Sequence, residues 1–207
     1  MILLKKVPDN MKRHVVKVFD GEYDIPMKFS GSPNIVDIGA NIGSFSVWAV
    51  TRWNAKVIAI EPNKANFEML QINTAELGDK IGLINAAVRA DKSNNKLYDG
   101  KNNCGECSFF KGKEQAETWT EVDIVLVSEL PTEVDVVKID TEGCEVEIVE
   151  ELVKLKVFPK AFLMEYHSEP DRRKLESVLV PYYNLWGALT LDPGQGIVKY
   201  VLNTVKY

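Results

Sequence analysis

Short apolar runs alternate with amphipathic segments between residues 34 and 88. The runs IVDI, KVIAIEP and IGLINAAV predict strands, and the intervening segments SFSVWAVTR and NKANFEMLQINTAEL predict helices. Asn63 is a suitable N-cap for the second helix, and Gly78 follows its end. Continuous apolar strands that alternate with helices predict a parallel sheet that is covered on both faces.

The alternation stops after residue 90 and resumes near residue 134. Residues 91–120 are polar and rich in turn formers, which predicts a hairpin or a loop excursion. VDVVKID and KAFLMEYH then predict strands, and CEVEIVEELVKL and DRRKLESVLV predict helices. YNLWGAL and GIVKYVLNTV flank the turn DPGQG and predict a closing antiparallel pair of strands.

The first 33 residues differ in pattern from the rest of the chain. The segment HVVKVFDGEYDIPMKF contains two strand-like runs around Asp20 and Gly21, which predicts an N-terminal hairpin. The chain therefore divides into an N-terminal extension over residues 1–33 and one main domain over residues 34–207.

Composition and charge indicate which classes of partner are unfavourable for this chain. The 207 residues are 45% hydrophobic and 27% charged, as in an ordinary globular protein. The net charge of −5 disfavours binding to the phosphates of nucleic acids. No run approaches the roughly 18 apolar residues that a membrane span needs, and the first residues do not resemble a signal peptide. We therefore expect a cytoplasmic protein, and the sequence does not indicate its oligomeric state.

The three cysteines, Cys104, Cys107 and Cys144, do not form a recognisable framework. An odd number of cysteines without a signal peptide argues against structural disulfides. Cys104 and Cys107 form a lone C-x-x-C pair, whereas a structural zinc site needs four ligands. We expect that these two cysteines hold neither zinc nor a structural disulfide.

The turn after the first predicted strand carries little side-chain bulk. Its sequence DIGANIG places Asp37 before two glycines, Gly39 and Gly43, four positions apart. Such a turn lets backbone N–H groups and the start of the next helix approach a ligand closely. Ligands of parallel sheets bind at the carboxyl ends of the strands, so we expect a ligand site at this turn.

This turn does not match the G-x-G-x-x-G fingerprint of dinucleotide-binding proteins. Counted from Gly39, Asn41 and Ser44 occupy the second and third glycine positions, and a side chain at the second position obstructs a pyrophosphate. Glu61 ends the next strand and is suited to accept hydrogen bonds from both hydroxyls of a ribose. These features favour a nucleoside with a ribose and no pyrophosphate, and S-adenosylmethionine fits that description.

Five segments together resemble the FkbM family of class I S-adenosylmethionine-dependent methyltransferases. They are VDIGANIGSFS, AIEPNKANFEML, INAAV, VVKIDTEGCEVEIVEEL and FLMEYH, within residues 34–170. The resemblance implies a Rossmann-like α/β fold, with a seven-stranded, mostly parallel sheet that has an antiparallel edge strand. It also implies O-methylation of a hydroxyl on a small molecule such as a sugar or a polyketide-like compound. The implied cofactor-binding residues are Asp37, Gly39, Ala40, Asn41, Gly43, Glu61, Pro62, Asn63, Ala86, Ala87 and Asp140.

Three residues at the ends of the fourth and fifth strands of the main sheet are candidates for catalysis. Asp140 ends one strand, and Glu165 and His167 lie two apart at the end of the next, so they share one face. A base among them would take the proton of the acceptor hydroxyl. We assign no metal, although an ion shared by these three residues and Glu142 would serve the same end. The structural alternatives are helix capping by Asp140 and Glu142, and a salt bridge that involves Lys138.

Two other classes of function remain open from the sequence. The chain is a nucleotide-dependent oxidoreductase if the ligand is a dinucleotide after all, which the failed glycine fingerprint disfavours. It is a non-catalytic cofactor-binding or interaction protein if the turn was kept and the acceptor site was lost. The sequence does not name the methyl acceptor.

Overall fold

The computed structural model describes residues 4–100, 107–110, 115–192 and 194–205. In this part of the chain, seven strands, numbered in chain order, form one sheet. Their order across the sheet is β10 (Tyr183–Asp192), β11 (Gln195–Leu202), β9 (Ala161–Tyr166), β8 (Val136–Ile139), β1 (Asn34–Ile38), β2 (Lys56–Ile60) and β3 (Ile81–Ile84). Neighbouring strands from β9 to β3 are parallel, and β11 runs antiparallel to both of its neighbours, β9 and β10. The prediction of a mostly parallel seven-stranded sheet with an antiparallel strand towards one edge is confirmed.

The helices and strands follow one another along the chain with short connections. The helices are α1 Lys12–Phe19, α2 Ser44–Trp53, α3 Lys64–Thr74, α4 Glu145–Lys154 and α5 Glu169–Leu179. The strands of the main sheet are β1 Asn34–Ile38, β2 Lys56–Ile60, β3 Ile81–Ile84, β8 Val136–Ile139, β9 Ala161–Tyr166, β10 Tyr183–Asp192 and β11 Gln195–Leu202. The remaining strands are β4 Ala87–Arg89, β5 Lys96–Gly100, β6 Gln115–Glu121 and β7 Ile124–Leu126. None of the described helices has the length and apolar character to cross a membrane.

The sheet has a separate apolar layer on each face. Successive strand residues point to opposite faces, so Val36 and Ile38 of β1 pack on one side and Ile35 on the other. The first layer contains Ile148 and Leu175, from α4 and α5. The second layer contains α2, whose residues 44–50 are all buried. Burial on both faces explains the uninterrupted apolar character of the central strands.

The hairpin predicted within residues 1–33 is wrong, because Lys12–Phe19 forms helix α1. Met11, Val15 and Val18 recur at intervals of four and three residues, which places them on one side of a helix. Met11 and Val15 pack against Ile42 and Met69. The run VVKVF has strand-forming composition, but this helical spacing and its burial outweigh that preference. Asp20 caps the end of the helix rather than joining two strands.

The run IGLINAAV is also not one strand. It divides at Asn85, whose side-chain amide donates hydrogen bonds to the backbone oxygens of Glu61 and Pro62. The residues before Asn85 form β3, and those after it form β4, which leaves the main sheet and pairs with β7. Further along, β5 and β6 pair antiparallel within residues 91–120. Cys104 lies in this segment but outside the described residues.

Asn73 fastens the N-terminal extension to the main domain. Its Oδ1 accepts a hydrogen bond from the backbone N–H of Lys6 at 2.7 Å. Its Nδ2 donates to the backbone oxygens of Lys6 at 3.0 Å and Ile42 at 2.8 Å. The side chain is buried, so these bonds replace water at both backbone segments.

We expect Asn73→Ala to lower the free energy of unfolding by about 1–3 kcal/mol, the cost of leaving buried hydrogen-bonding groups unpaired. Ile72→Ala is the matched control, because Ile72 lies next to Asn73 in α3 and is 42% exposed. Urea denaturation of both variants measures the difference. Equal losses in the two variants would contradict this role for Asn73.

Candidate active site

A cleft of about 550 Å³ lies at the carboxyl ends of β1, β2 and β8. Its position agrees with the expectation that ligands bind where parallel strands end. Seven of the residues expected from the sequence line this cleft: Gly39, Asn41, Glu61, Pro62, Ala86, Ala87 and Asp140.

Glu61 is a buried carboxylate that joins the two loops at the cleft. Its Oε2 accepts a hydrogen bond from the backbone N–H of Asn41 at 2.8 Å, and its Oε1 accepts from that of Asn63 at 2.9 Å. Burial raises the pKa of Glu61 to about 7, although the two backbone hydrogen bonds lower it. The loops after β1 and β2 are therefore held together by one side chain that also faces the cleft.

The turn after β1 needs a glycine at residue 39. Gly39 has φ +74°, and a Cβ at this position would overlap the backbone oxygen of Asp140. The loops that follow β1 and β8 therefore approach each other with no side chain between them. Gly43 also has a positive φ, but a Cβ there would press on Leu70 of α3, so this glycine serves packing.

Four residues expected in the cofactor site do not line the cleft. Ala40 and Gly43 are directed towards the protein interior. Asp37 is fully buried and accepts a hydrogen bond from the Ser46 hydroxyl at 2.7 Å. Asn63 caps α3 by accepting from the backbone N–H of Asn66. These four residues stabilise the turn after β1 and the start of α3 without lining the cleft. A sequence motif does not distinguish such a supporting residue from one that contacts the ligand.

Several lining residues were not anticipated from the sequence. Those that the sequence analysis did not assign to the cofactor site include Asn66, Leu97, Cys107, Phe109, Thr141 and Cys144. Leu97, Cys107 and Phe109 come from the excursion between residues 91 and 120, where no periodic pattern indicates a role. Cys107 is half-buried and accepts a hydrogen bond from Asn63 Nδ2 at 3.3 Å. The expectation that Cys104 and Cys107 bind no zinc stays a prediction, since Cys104 is not described.

Beside the cleft, four carboxylates surround the imidazole of His167. Its Nε2 lies 3.2 Å from Oε2 of Glu142 and 3.9 Å from the nearer oxygens of both Asp140 and Glu165. Its buried Nδ1 lies 3.3 Å from Oε1 of Glu145, in an ion pair without an aligned hydrogen bond. The pairing of β8 with β9 brings these strand ends together, as the sequence predicted for Asp140 and His167.

The charges of this cluster shift the pKa of its members. Burial lowers the pKa of His167, but the contact with Glu145 and the carboxylates of Glu142 and Asp140 outweigh it and raise the value to about 10. Burial and the charge of Asp140 raise the pKa of Glu165 to about 8. The imidazole is thus a cation with a carboxylate beside each ring nitrogen. The base role that the sequence allowed for His167 stays a prediction.

Lys138 lies beneath the cluster and is almost fully buried. Its Nζ donates a hydrogen bond to the backbone oxygen of Gly39 at 2.7 Å. It also lies 3.3 Å from Oδ1 of Asp37 and 3.5 Å from Oδ2 of Asp140. Burial lowers the pKa of Lys138, but these carboxylates raise it above its usual value, so the ammonium keeps its charge. The salt bridge considered for Lys138 is therefore present.

The model of the methyltransferase FkbM domain matches residues 37–184 of the chain. The chain belongs to the FkbM methyltransferase family. Its cofactor is S-adenosylmethionine, and the residues at the cleft fit this molecule. The buried Glu61 carboxylate lines the cleft and offers the acceptor oxygens that ribose hydroxyls need, and Gly39 lines it without a side chain.

Similar solved structures agree on the fold of this FkbM-family chain. Precorrin-6y C5,15-methyltransferase from Geobacter metallireducens has a TM-score of 0.57 and 12% identity, over 98% of this chain and 94% of that one. A candidate RNA methyltransferase from Pyrococcus horikoshii has a TM-score of 0.55 and 14% identity, over 98% and 92%. Fibrillarin from Aeropyrum pernix, solved with S-adenosyl-L-methionine, has a TM-score of 0.54 and 12% identity, over 90% and 74%. No curated protein sequence gave a significant match.

We expect Gly39→Ala to destabilise the protein and to weaken cofactor binding. A left-handed backbone costs a non-glycine residue about 1–2 kcal/mol, and the overlap with Asp140 adds to this cost. Gly31→Ala is the control, because a Cβ at Gly31 has no heavy atom within 4 Å. Thermal unfolding and cofactor titration test both variants. The assignment fails if Gly39→Ala behaves like Gly31→Ala.

Proposed function

We propose that this FkbM-family methyltransferase transfers the methyl group of S-adenosylmethionine to a hydroxyl of a small molecule. The observation that carries the proposal is the group of carboxylates from Asp140, Glu142 and Glu165 beside the cofactor cleft. Carboxylates accept hydrogen bonds and protons from hydroxyl groups. A sugar or a polyketide-like compound, the acceptor classes implied by the family resemblance, offers hydroxyls of this kind.

On the cofactor side, Glu61 binds the ribose hydroxyls with the carboxylate that holds the two loops. Pro62, Ala86 and Ala87 flank the adenine, and Gly39 and Asn41 lie at the methionine end. S-adenosylmethionine supplies an activated methyl group on a sulfonium. The main task left to the chain is to place the acceptor oxygen in line with that methyl group.

On the acceptor side, Asp140 connects the two halves of the site. It lines the cleft and also lies 3.9 Å from the imidazole of His167. A hydroxyl bound between Asp140 and Glu165 lies at the edge of the cofactor cleft. Its proton passes to a carboxylate of this group, for which we choose Asp140. Its oxygen forms a bond to the methyl carbon as the methyl–sulfur bond breaks, which leaves the cofactor as a neutral thioether. His167 holds the carboxylates in place through its charge.

The charge of the site favours a small-molecule acceptor over RNA. A structural neighbour from Pyrococcus horikoshii is described as a candidate RNA methyltransferase, which makes RNA the alternative acceptor. The carboxylate-rich rim and the net charge of −5 repel a phosphate backbone. Incubation with methyl-labelled cofactor and either a panel of hydroxylated metabolites or total RNA separates the two. Label in RNA alone would refute the proposal.

We expect Glu61→Ala to weaken cofactor binding by on the order of 1.5–3 kcal/mol, the value of hydrogen bonds to a charged group. Calorimetric titration with S-adenosylmethionine measures the change. Glu68→Ala in α3 is the matched control, because it removes a carboxylate outside the cleft. An affinity of Glu61→Ala within twofold of the unmodified chain would overturn the ribose assignment.

The raised pKa of Glu61 predicts a pH dependence of cofactor affinity. Ribose hydroxyls donate to the ionised carboxylate, so the complex favours the deprotonated form. Affinity should be constant well above the pKa of about 7 and should fall as the pH drops through it, by at most about tenfold per pH unit. Glu61→Gln should lose this dependence. If the ratio of cofactor affinities of the unmodified protein and Glu61→Gln does not change with pH, the assignment is contradicted.

We expect Asp140→Asn to lower kcat at least roughly tenfold, the size of a general-base contribution. Its effect on the Kd of the cofactor should be much smaller, because the lost step concerns the acceptor. Steady-state kinetics on an acceptor found in the panel, with cofactor binding measured in parallel, provide the test. Asp192→Asn, at the exposed end of β10, is the control. An unchanged kcat would place the base elsewhere.

A further inference from the structure

The Nε2 atom of His167 is directed towards groups that only accept hydrogen bonds. The nearest oxygens of Glu142, Asp140 and Glu165 lie 3.2, 3.9 and 3.9 Å away. Ionised carboxylates have no proton to donate, and a neutral Nε2 would face them with a lone pair. When all three carboxylates are ionised, a positive charge must therefore lie between them and this nitrogen. It is either the proton of the imidazolium or a metal ion.

On the other side of the imidazole, Nδ1 lies beside a carboxylate, the kind of group found there in many metal sites, at ion-pair distance and without an aligned hydrogen bond. Nδ1 faces Glu145, whose side chain is 1% exposed. Glu145 is held in turn by the backbone N–H groups of Thr141 and Gly143, at 2.8 and 3.0 Å. A metal-bound histidine usually directs its second nitrogen to a carboxylate, which fixes the tautomer and raises the basicity of the ligating nitrogen. This contact leaves Nε2 as the atom that faces the cleft side.

Negative charge exceeds positive charge around this point. Among the described residues, the only cations next to Asp140 are His167 and Lys138. The ammonium of Lys138 also serves Asp37 and the backbone oxygen of Gly39. Near the carboxylates of Glu142, Glu145 and Glu165, the imidazole of His167 carries at most one positive charge. A divalent ion would remove this imbalance better than a single proton does.

We propose that Asp140, Glu165 and His167 bind one divalent metal ion at the acceptor side of the cleft. One ligand atom from each of these residues lies within 4.8 Å of the other two. The three side chains are partly exposed, which leaves open positions for water or for a substrate oxygen. A set of one imidazole and two carboxylates suits Mn²⁺ or a similar transition metal better than Ca²⁺, which prefers oxygen ligands alone.

The role of this ion rests on the proposed function, whereas its binding does not. An acceptor hydroxyl in an open position on the ion would lose its proton more readily, as metal-bound water does. That proton passes to a carboxylate of the same group. The ion and the carboxylates would therefore both promote the loss of the proton from the acceptor hydroxyl. A metal ion in this role is the alternative that the sequence left open.

The test is a titration of Mn²⁺ into the full chain after treatment with a chelator, followed by electron paramagnetic resonance of the unbound ion. We expect one bound Mn²⁺ per chain, and a loss of affinity of at least tenfold in both Asp140→Asn and Glu165→Gln. Glu169→Gln removes an exposed carboxylate two residues from His167 and should bind as the unmodified chain does. Circular dichroism checks that each variant is folded.

His167→Ala removes the imidazole from among four carboxylates and is prone to misfolding, so the two carboxylate variants carry the test. An absence of Mn²⁺ binding at millimolar concentration overturns the proposal. So does unchanged binding in both carboxylate variants. The measurement uses neither cofactor nor acceptor, so its outcome is independent of the methyl-transfer assay that tests the proposed function.

Discussion

The buried ammonium of Lys138 joins the two loops on which the site depends. It contacts the backbone oxygen of Gly39 and the carboxylates of Asp37 and Asp140, which belong to β1 and to the end of β8. Removing a charge from water is costly unless it is paired, and here the ammonium makes one hydrogen bond and two ion pairs. The same contacts fix the cofactor turn relative to the acceptor side, so a change at one is felt at the other.

Glu61 performs a similar task between β1 and β2. Its two carboxylate oxygens accept backbone hydrogen bonds from Asn41 and Asn63, so it orders both loops before any ligand binds. The raised pKa of Glu61 reflects the free-energy cost of this arrangement, because burial disfavours the ionised carboxylate that the hydrogen bonds favour. In the proposed function, this preformed carboxylate binds the ribose without the free-energy cost of ordering the loops.

The excess of carboxylates around His167 gives the acceptor side its chemical character. It attracts cations and hydroxyl donors, and it repels phosphates. A single imidazole holds the carboxylates of Glu142, Glu145, Asp140 and Glu165 together, although these residues come from two strand ends and the first turn of α4. From the local sequence, Asp140 and Glu142 could equally have been helix caps. The convergence of the four carboxylates on one imidazole gives the group its chemistry.

The sequence by itself determined the order of the main elements and the turn after β1. The central strands could be recognised because both faces of the sheet are covered, so that their residues form uninterrupted apolar runs. The sequence also identified Glu61 and Asp140, since strand ends in a parallel sheet meet at one edge. The local pattern failed where two signals competed, as in α1, whose strand-forming residues recur at helical spacing.

Only the tertiary structure decided which motif residues face the cleft and which support it. Asp37 and Asn63 belong to the same motifs as Gly39 and Glu61, yet they contact Ser46 and the start of α3 instead of the cleft. Contact depends on the direction of each side chain after the layers have packed, and spacing along the chain does not contain that information. The same reason applies to His167: its charge is set by four carboxylates that are brought together only by the pairing of β8 with β9 and the packing of α4.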